Sequence, residues 1–275
     1  MCCDGGVLQQ LRVRPGDAAN LAEREPGSTP GAPGGRAETE AATAAQLAKL
    51  SELQERLYAE RRRSLLVVLQ GTDTSGKDGT VRHVIRGLDP SGTRVVAFGV
   101  PTAEDLAHDF LWRVHRHVPK AGEVVVFNRS HYEDVTTVRV KELVPEDVWK
   151  ARFEHINAFE RLLVHGGTEI VKCFLHISER EQASRLRERA DDPRKRWKLT
   201  SADLIDHGRF GDYLDAYDFA IERTSTDRSP WWIVPADHKW YRNWAVAEIL
   251  VTTLSETNPH YPLVPPMPEA AALGD

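Results

Sequence analysis

Residues 65–80 read LLVVLQGTDTSGKDGT. The first six, Leu65–Gln70, have the length and unbroken apolar character of a strand buried on both faces. They run straight into a glycine-bounded loop, and Val81–Leu88 beyond it carry a helical pattern. A G-x-x-x-x-G-K loop between a strand and a helix is the Walker A context, in which backbone N–H groups converge on a phosphate. Gly71 and Gly76 allow the backbone conformations this needs. Thr74, Ser75, Gly79 and Thr80 complete the cradle, and Lys77 supplies a point charge. Two carboxylates depart from an ordinary triphosphate loop: Asp78 stands where a Ser or Thr hydroxyl normally reaches Mg²⁺, and Asp73 lies inside the cradle. Two negative charges beside a triphosphate repel it unless a metal ion lies between them. Asp73 is therefore the candidate Mg²⁺ ligand, or the group that orients an attacking phosphate oxygen. The plain alternative is a turn residue at 73 and a dipole partner at 78.

Outward from this loop, further short apolar runs of strand length occur at Val95–Phe98, Val124–Asn128, Ile170–Ile177 and Trp231–Pro235. Helix-length segments separate them: Ala103–His117, Pro145–His165, Glu179–Ala190 and Phe210–Arg223, with Tyr241–Glu256 last and another helix at Ala44–Arg63. Apolar strands alternating with amphipathic helices predict a three-layer α/β domain around a parallel sheet. Residues 1–43 are expected to be a flexible leader, because 15–43 are rich in Pro, Gly, Ala, Ser and Thr. By that reading residues 1–40 are dispensable, the domain spans 44–257, and 258–275 form a proline-rich tail.

The 275 residues are 41% hydrophobic and 28% charged, an ordinary globular balance. No apolar run nears the roughly 20 residues that cross a bilayer, and the first residues lack a signal-peptide pattern. Three cysteines without a C-x-x-C pair fit a reducing, cytoplasmic compartment. Net charge is −5, so nucleic acid is not an expected partner, and any polyanion must be met by a local patch.

That patch is Ser184–Thr200, SRLRERADDPRKRWKLT, with seven basic residues against three acidic ones. Arg185 and Arg189 are four apart and share a helix face. The Asp-Asp-Pro break then turns the chain back, as a lid over a phosphate site would. At the end of the strand VVVFN, Asn128, Arg129, Ser130 and His131 occupy the edge where open α/β sheets bind ligands. Asn128 stands where P-loop enzymes place a metal-binding aspartate, which shifts the metal role towards Asp73. Arg129 suits a bidentate phosphate contact. The helix after Thr102 carries Arg113 and can serve as an acceptor-binding helix. The strand end Asp237–Arg242, with Asp237 and Lys239, offers a place for a base or a phosphate.

These segments together closely resemble the type-2 polyphosphate kinase family. The matching pieces are GTDTSGKDGT (71–80), PTAEDLAHDFLWR (101–113), FNRSHYEDV (127–135), RLRERADDPRKRWKLTSADL (185–204) and RTSTDRSPWWIVPADHKWYRN (223–243). The resemblance spans about Leu47 to Glu256. It implies a P-loop kinase fold of the thymidylate-kinase-like kind, with a helical lid over about 184–204. It also implies Mg²⁺-dependent phosphoryl transfer between inorganic polyphosphate and AMP, ADP or ATP, with GDP and GTP as further candidates and a homo-oligomer as the assembly. Position by position, it carries over Asp73, Lys77, Arg129, Arg185 and Arg189 as catalytic residues. The GKDG and FNRSHYEDV wording resembles the subgroup that accepts both mono- and diphosphates. The rival readings are an ATP-dependent nucleoside monophosphate kinase and a non-catalytic polyphosphate-binding regulator.

Overall fold

Residues of LLVVLQ alternate between two cores, and that alternation sets the architecture. The computed structural model describes residues 6–263. In it Ser64–Gln70 (β2, after the short β1, Arg12–Val13) is a central strand, with parallel neighbours on both sides. Leu65, Val67 and Leu69 enter one apolar cluster, and Leu66 and Val68 enter the other. A strand with no solvent face has no use for polar alternation, hence the continuous apolar run.

The remaining strands are β3 (Thr93–Ala97), β4 (Val124–Asn128), β5 (Thr168–His176) and β6 (Trp231–Pro235). The sheet order is β1-β6-β5-β2-β4-β3, parallel throughout except for β1, which pairs antiparallel with β6. On one face lie α1 (Arg36–Glu60) and, last in the chain, Lys239–Thr257, which pack on each other through Leu50, Leu53 and Leu57 against Ile249, Leu250 and Leu254. The other face is covered by α2 (Glu146–His165) and the helix Phe210–Thr224, bringing Phe153, Ile156 and Phe159 together with Tyr217 and Ile221. The lid helix α3 (Glu179–Asp191) follows α2 in the chain, and the two helices already placed, Phe210–Thr224 and Lys239–Thr257, are α4 and α5. The expected three-layer α/β fold with its parallel sheet is present, and the helical lid follows α3 as a 3-10 turn at Arg196–Lys198 and a helix at Ser201–His207.

Three expectations need correction. The leader is not free: Leu8, Leu11, Val13, Ala19 and Leu21 are buried, and β1 extends the sheet beyond the expected strands. Its sparse apolar residues fall at the contact points, so average composition hid them. The first long helix begins at Arg36, eight residues before the expected Ala44, because Ala and Glu favour helix there and Thr39 and Ala42 pack inward. The expected helix 103–117 is broken into Ala103–Leu106, opened by a Thr102–Asp105 capping box, and Trp112–His115. Of the tail, residues 258–263 follow α5, and residues 264–275 lie outside the described residues, as do Cys2 and Cys3. Among the described residues no helix is long and apolar enough to cross a membrane.

Candidate active site

The loop between β2 and the short helix Lys77–Thr80 takes its shape from its glycines. Gly71 sits at φ +147°, where a Cβ would lie 2.7 Å from the Leu175 carbonyl oxygen, and Gly76 sits at φ +106°. Thr74 is also left-handed, at φ +62°. Ser75 is fully buried beneath the loop, and Thr80 is buried where the helix leaves it.

Lys77 is buried and folded back on its own loop. Its ammonium donates to the carbonyls of Gly71 (2.7 Å) and Thr72 (3.1 Å) and to Ser75 Oγ (3.4 Å). Burial, and then the neighbouring Arg129, lower its pKa to about 8, against the opposing pull of Asp73, Glu133 and Asp78. Asp73 accepts from Arg129, which is itself at φ +62° and also reaches Glu133. Glu133 raises the Arg129 pKa, outweighing burial with help from Asp73, so this guanidinium stays charged. Asp78 accepts from Asn128 Nδ2 (2.7 Å) and from Lys198 Nζ (3.3 Å). Burial alone would raise the Asp78 carboxyl, but these two bonds together hold it below the usual range.

Lid and loop face one another across a cleft of ≈ 1440 Å³. It brings together Asp73, Thr74, Gly76, Lys77, Asp78 and Gly79 with Asn128, Arg129, Arg185, Arg189, Asp237 and Lys239. The two lid arginines differ sharply. Arg185 is 7% exposed, and its whole fork is spent. Nε donates to Glu181, Nη1 to the Thr74 and Ser75 carbonyls, and Nη2 to the Ala236 and Asp237 carbonyls. It clamps the loop to the end of β6 and has no donor left for a phosphate. Arg189, one turn on, faces the cleft.

Asp237 is likewise occupied, accepting from the backbone N–H and hydroxyl of Ser178, the N-cap of α3. Lys239 stands at the rim, 3.8 Å from Glu188.

Ser130, His131 and Arg113 are not among the cleft-lining residues. Ser130 caps the 3-10 turn His131–Asp134, and His131 is buried 3.5 Å from Glu160. Arg113 is buried against Asp134 (3.0 Å) and the Gly99 carbonyl. Ser130 and His131 follow the ligand edge in sequence and Arg113 lies on the expected acceptor-binding helix, but the chain turns all three into the core. Sequence reasoning also passed over residues that do line the cleft. Arg82 and His83 line it, and Trp197 stands 76% exposed on the lid, where the only signal was the surrounding basic run. Arg242, in the strand end Asp237–Arg242 expected to meet a base or a phosphate, lines the cleft as well.

A strand, a glycine-cornered phosphate loop with its lysine, and an arginine-bearing lid over one cleft define a P-loop phosphotransferase of the kinase type. Similarity to known proteins narrows this further. The sequence profile of the family described as Polyphosphate kinase 2 matches residues 35–262, and the chain belongs to that family. It is 50% identical over 265 residues to the AMP/ADP-polyphosphate phosphotransferase of Meiothermus ruber, covering 96% of this chain and 98% of that one. It is 41% identical to the ADP-polyphosphate phosphotransferase of Rhodopseudomonas palustris, covering 80% and 81% of the two chains. The crystal structure of polyphosphate kinase 2 from Arthrobacter aurescens TC1 superposes with a TM-score of 0.92 at 44% identity, covering 96% of this chain and 94% of that one.

Proposed function

We infer that this chain transfers phosphoryl groups reversibly between inorganic polyphosphate and nucleoside mono- and diphosphates, taking AMP to ADP and ADP to ATP. One observation carries the reading: the phosphate loop, the Asp73–Arg129 pair that joins it to the end of β4, and the lid cations all open onto a single cleft. Two polyanions must meet end to end in this reaction, and a cleft with cations on opposing walls suits that meeting. Guanine nucleotides belong to the same proposal, since nothing in the loop reads a base.

Mg²⁺ is the expected cofactor. Asp73, Asp78 and the Oδ1 of Asn128 are hard oxygen donors on the cleft, which is the donor chemistry the ion prefers. Among the described residues no group of three or more His, Cys, Asp or Glu could hold a metal alone. Phosphate oxygens and water would therefore complete the set, as is usual for Mg²⁺. When bound, the ion would supply positive charge that offsets negative charge on phosphate.

The chain's own residues do the rest. Lys77, released from its loop carbonyls, meets the oxygens of the transferring group, and Arg129 and Arg189 neutralise charge spread over them. Arg185 keeps the cradle in shape from behind. The attacking acceptor oxygen is already anionic, so no strong base is needed, and positioning with electrostatics supplies the rate.

Incubation with Mg²⁺ and either AMP or ADP, with and without polyphosphate, tests the reading. ATP formed from ADP only when polyphosphate is present is the expected result. ADP formed from ATP and AMP without polyphosphate would establish a monophosphate kinase instead, and no turnover under any condition would point to a regulator. Asp73→Ala should abolish the activity without unfolding the protein.

A further inference from the structure

Arg242 lies in the first turn of α5, and its guanidinium is pressed against Gly76 and Gly79 of the phosphate loop on the wall of the cleft. A Cβ at Gly76 would fall 1.8 Å from its Nη1, and one at Gly79 would fall 3.0 Å from its Nη2. The two glycines around Lys77 and Asp78 therefore leave room for this one side chain. Residue 242 is only 2% exposed. Its Nε and Nη2 share a single acceptor, Asn243 Oδ1 (3.2 and 2.8 Å), and Nη1 has no partner among the described residues.

No carboxylate among the described residues forms an ion pair with it, and the charge it does feel is the like charge of Arg185. Burial, then Arg185, push its pKa down to about 10. The contrast with Arg185 is direct, since there every N–H has an acceptor. Burying a cation without a counter-charge disfavours the fold unless something anionic reaches it. Arg242 lines the cleft, so an anion in the cleft can reach it.

We infer that Arg242 is a phosphate-contacting residue, whose Nη1 edge takes an oxyanion of a phosphate group bound over Gly76–Gly79. The inference rests on the phosphotransferase reading and extends it to the wall of the cleft beside the loop. The shared chemistry is a phosphate oxyanion, belonging either to the polyphosphate chain or to the nucleotide. Apart from the positive φ that already favours glycine at 76, a side chain at 76 or 79 would displace the guanidinium from this position.

The test compares the full chain with Arg242→Met and Arg242→Lys by thermal unfolding and ligand titration. Tripolyphosphate and ADP are used separately as probes, and AMP/ADP phosphorylation is measured beside them. A residue that merely braces the loop and one that receives an anion give opposite signs without ligand. Removing an uncompensated buried cation should leave the Tm of ligand-free Arg242→Met equal to or above that of the parent. Removing a brace should lower it.

The affinity for one probe or both should fall about ten- to a hundredfold, the range expected for a charge-assisted bond. Loss confined to tripolyphosphate assigns the contact to the polyphosphate chain, and loss confined to ADP assigns it to the nucleotide. Parental affinity for both probes in a folded variant would overturn the inference, as would a lowered Tm with unchanged affinities. Should Arg242→Met fail to fold, Arg242→Lys, which keeps the stem and charge but loses the fork, is read by the same affinity criterion. If the parent itself shows no polyphosphate-dependent turnover, the activity reading fails. Probe binding by parent and variants still judges Arg242.

Discussion

Arg185 and Arg189 are one helical turn apart, yet their donors go to different places. With Arg185 truncated, the carbonyls of Thr74, Ser75, Ala236 and Asp237 lose their charged donor inside the protein. Arg185→Ala should therefore cost about 3 kcal/mol of stability, read as a fall in Tm, with activity lost through a loosened loop. Arg189→Ala should leave the Tm near that of the parent and lower kcat about 10³-fold, the lower end for an arginine acting on a phosphoryl group in transit. Steady-state kinetics at two ionic strengths, beside thermal unfolding, separate the two. A parental Tm for Arg185→Ala would remove the clamp from the account.

Lys77 carries the second prediction at this scale. Its pKa is lowered from the ordinary lysine range to about 8 in the folded protein. Between about pH 8 and the ordinary range the unfolded chain binds the extra proton, so stability rises with pH there. The cost of holding Lys77 charged is felt in full only below that window. A polyanion in the loop favours the charged form and draws the pKa back up. Polyphosphate binding near pH 8.5 should thus take up a fraction of a proton, measurable by calorimetry in two buffers of different ionisation enthalpy. Uptake should vanish in Lys77→Met.

At the scale of elements, a buried polar network joins β5 to α2. Lys172, on β5, donates to Glu160 (2.6 Å), to the Tyr132 hydroxyl (3.1 Å) and to the Thr224 carbonyl (2.7 Å). Glu160 also accepts from Tyr132 (2.7 Å) and Ser229 (3.0 Å). Burial works against the Glu160 charge, but Lys172 and His131 outweigh it and hold the carboxyl well below its usual range. One strand, two helices and two loops meet at this pair. Lys172→Met should cost about 3–5 kcal/mol, because it strands a buried carboxylate. Replacing both charges, Lys172→Met with Glu160→Leu, should recover much of that loss in a denaturant titration. No recovery would mean that packing, not charge, sets the cost.

Across the whole molecule, the N-terminal segment is part of the body. It adds β1 to the sheet beside β6, and Leu21, fully buried, sits beside α4, where its backbone N–H donates to Asp218 (2.9 Å). Tyr241, on α5, donates to the Pro30 carbonyl (2.8 Å), tying the same segment to the helix that carries Arg242. Leu21→Ala should cost about 2–5 kcal/mol. Deleting residues 1–30 should lower the Tm and reduce turnover rather than leave both unchanged. An active, equally stable truncated protein would return the segment to the status of a leader.

The sequence alone was enough for the parallel strands β2 to β6, the three layers, the phosphate loop and the family. Each of these is written in local pattern: unbroken apolar runs for strands without a solvent face, and glycines spaced where the backbone must turn around an anion. That Asp73, Lys77, Asn128 and Arg129 line one cleft was legible from their distance to a strand end, and that Arg189 lines it from the basic run that carries it. Tertiary structure decided what a side chain does once it arrives. Ser130 and His131 follow the same strand end as Arg129, yet the 3-10 turn carries them inward to the core. Arg185 looks like Arg189 in the sequence, and only the proximity of four carbonyls 50 and 110 residues away turns it into a clamp. Burial of Leu21 and the fit of Arg242 against Gly76 and Gly79 are likewise contacts between distant segments. Local periodicity records which face of an element is apolar, but not which remote donor or acceptor will meet it, because that is settled only when the layers pack.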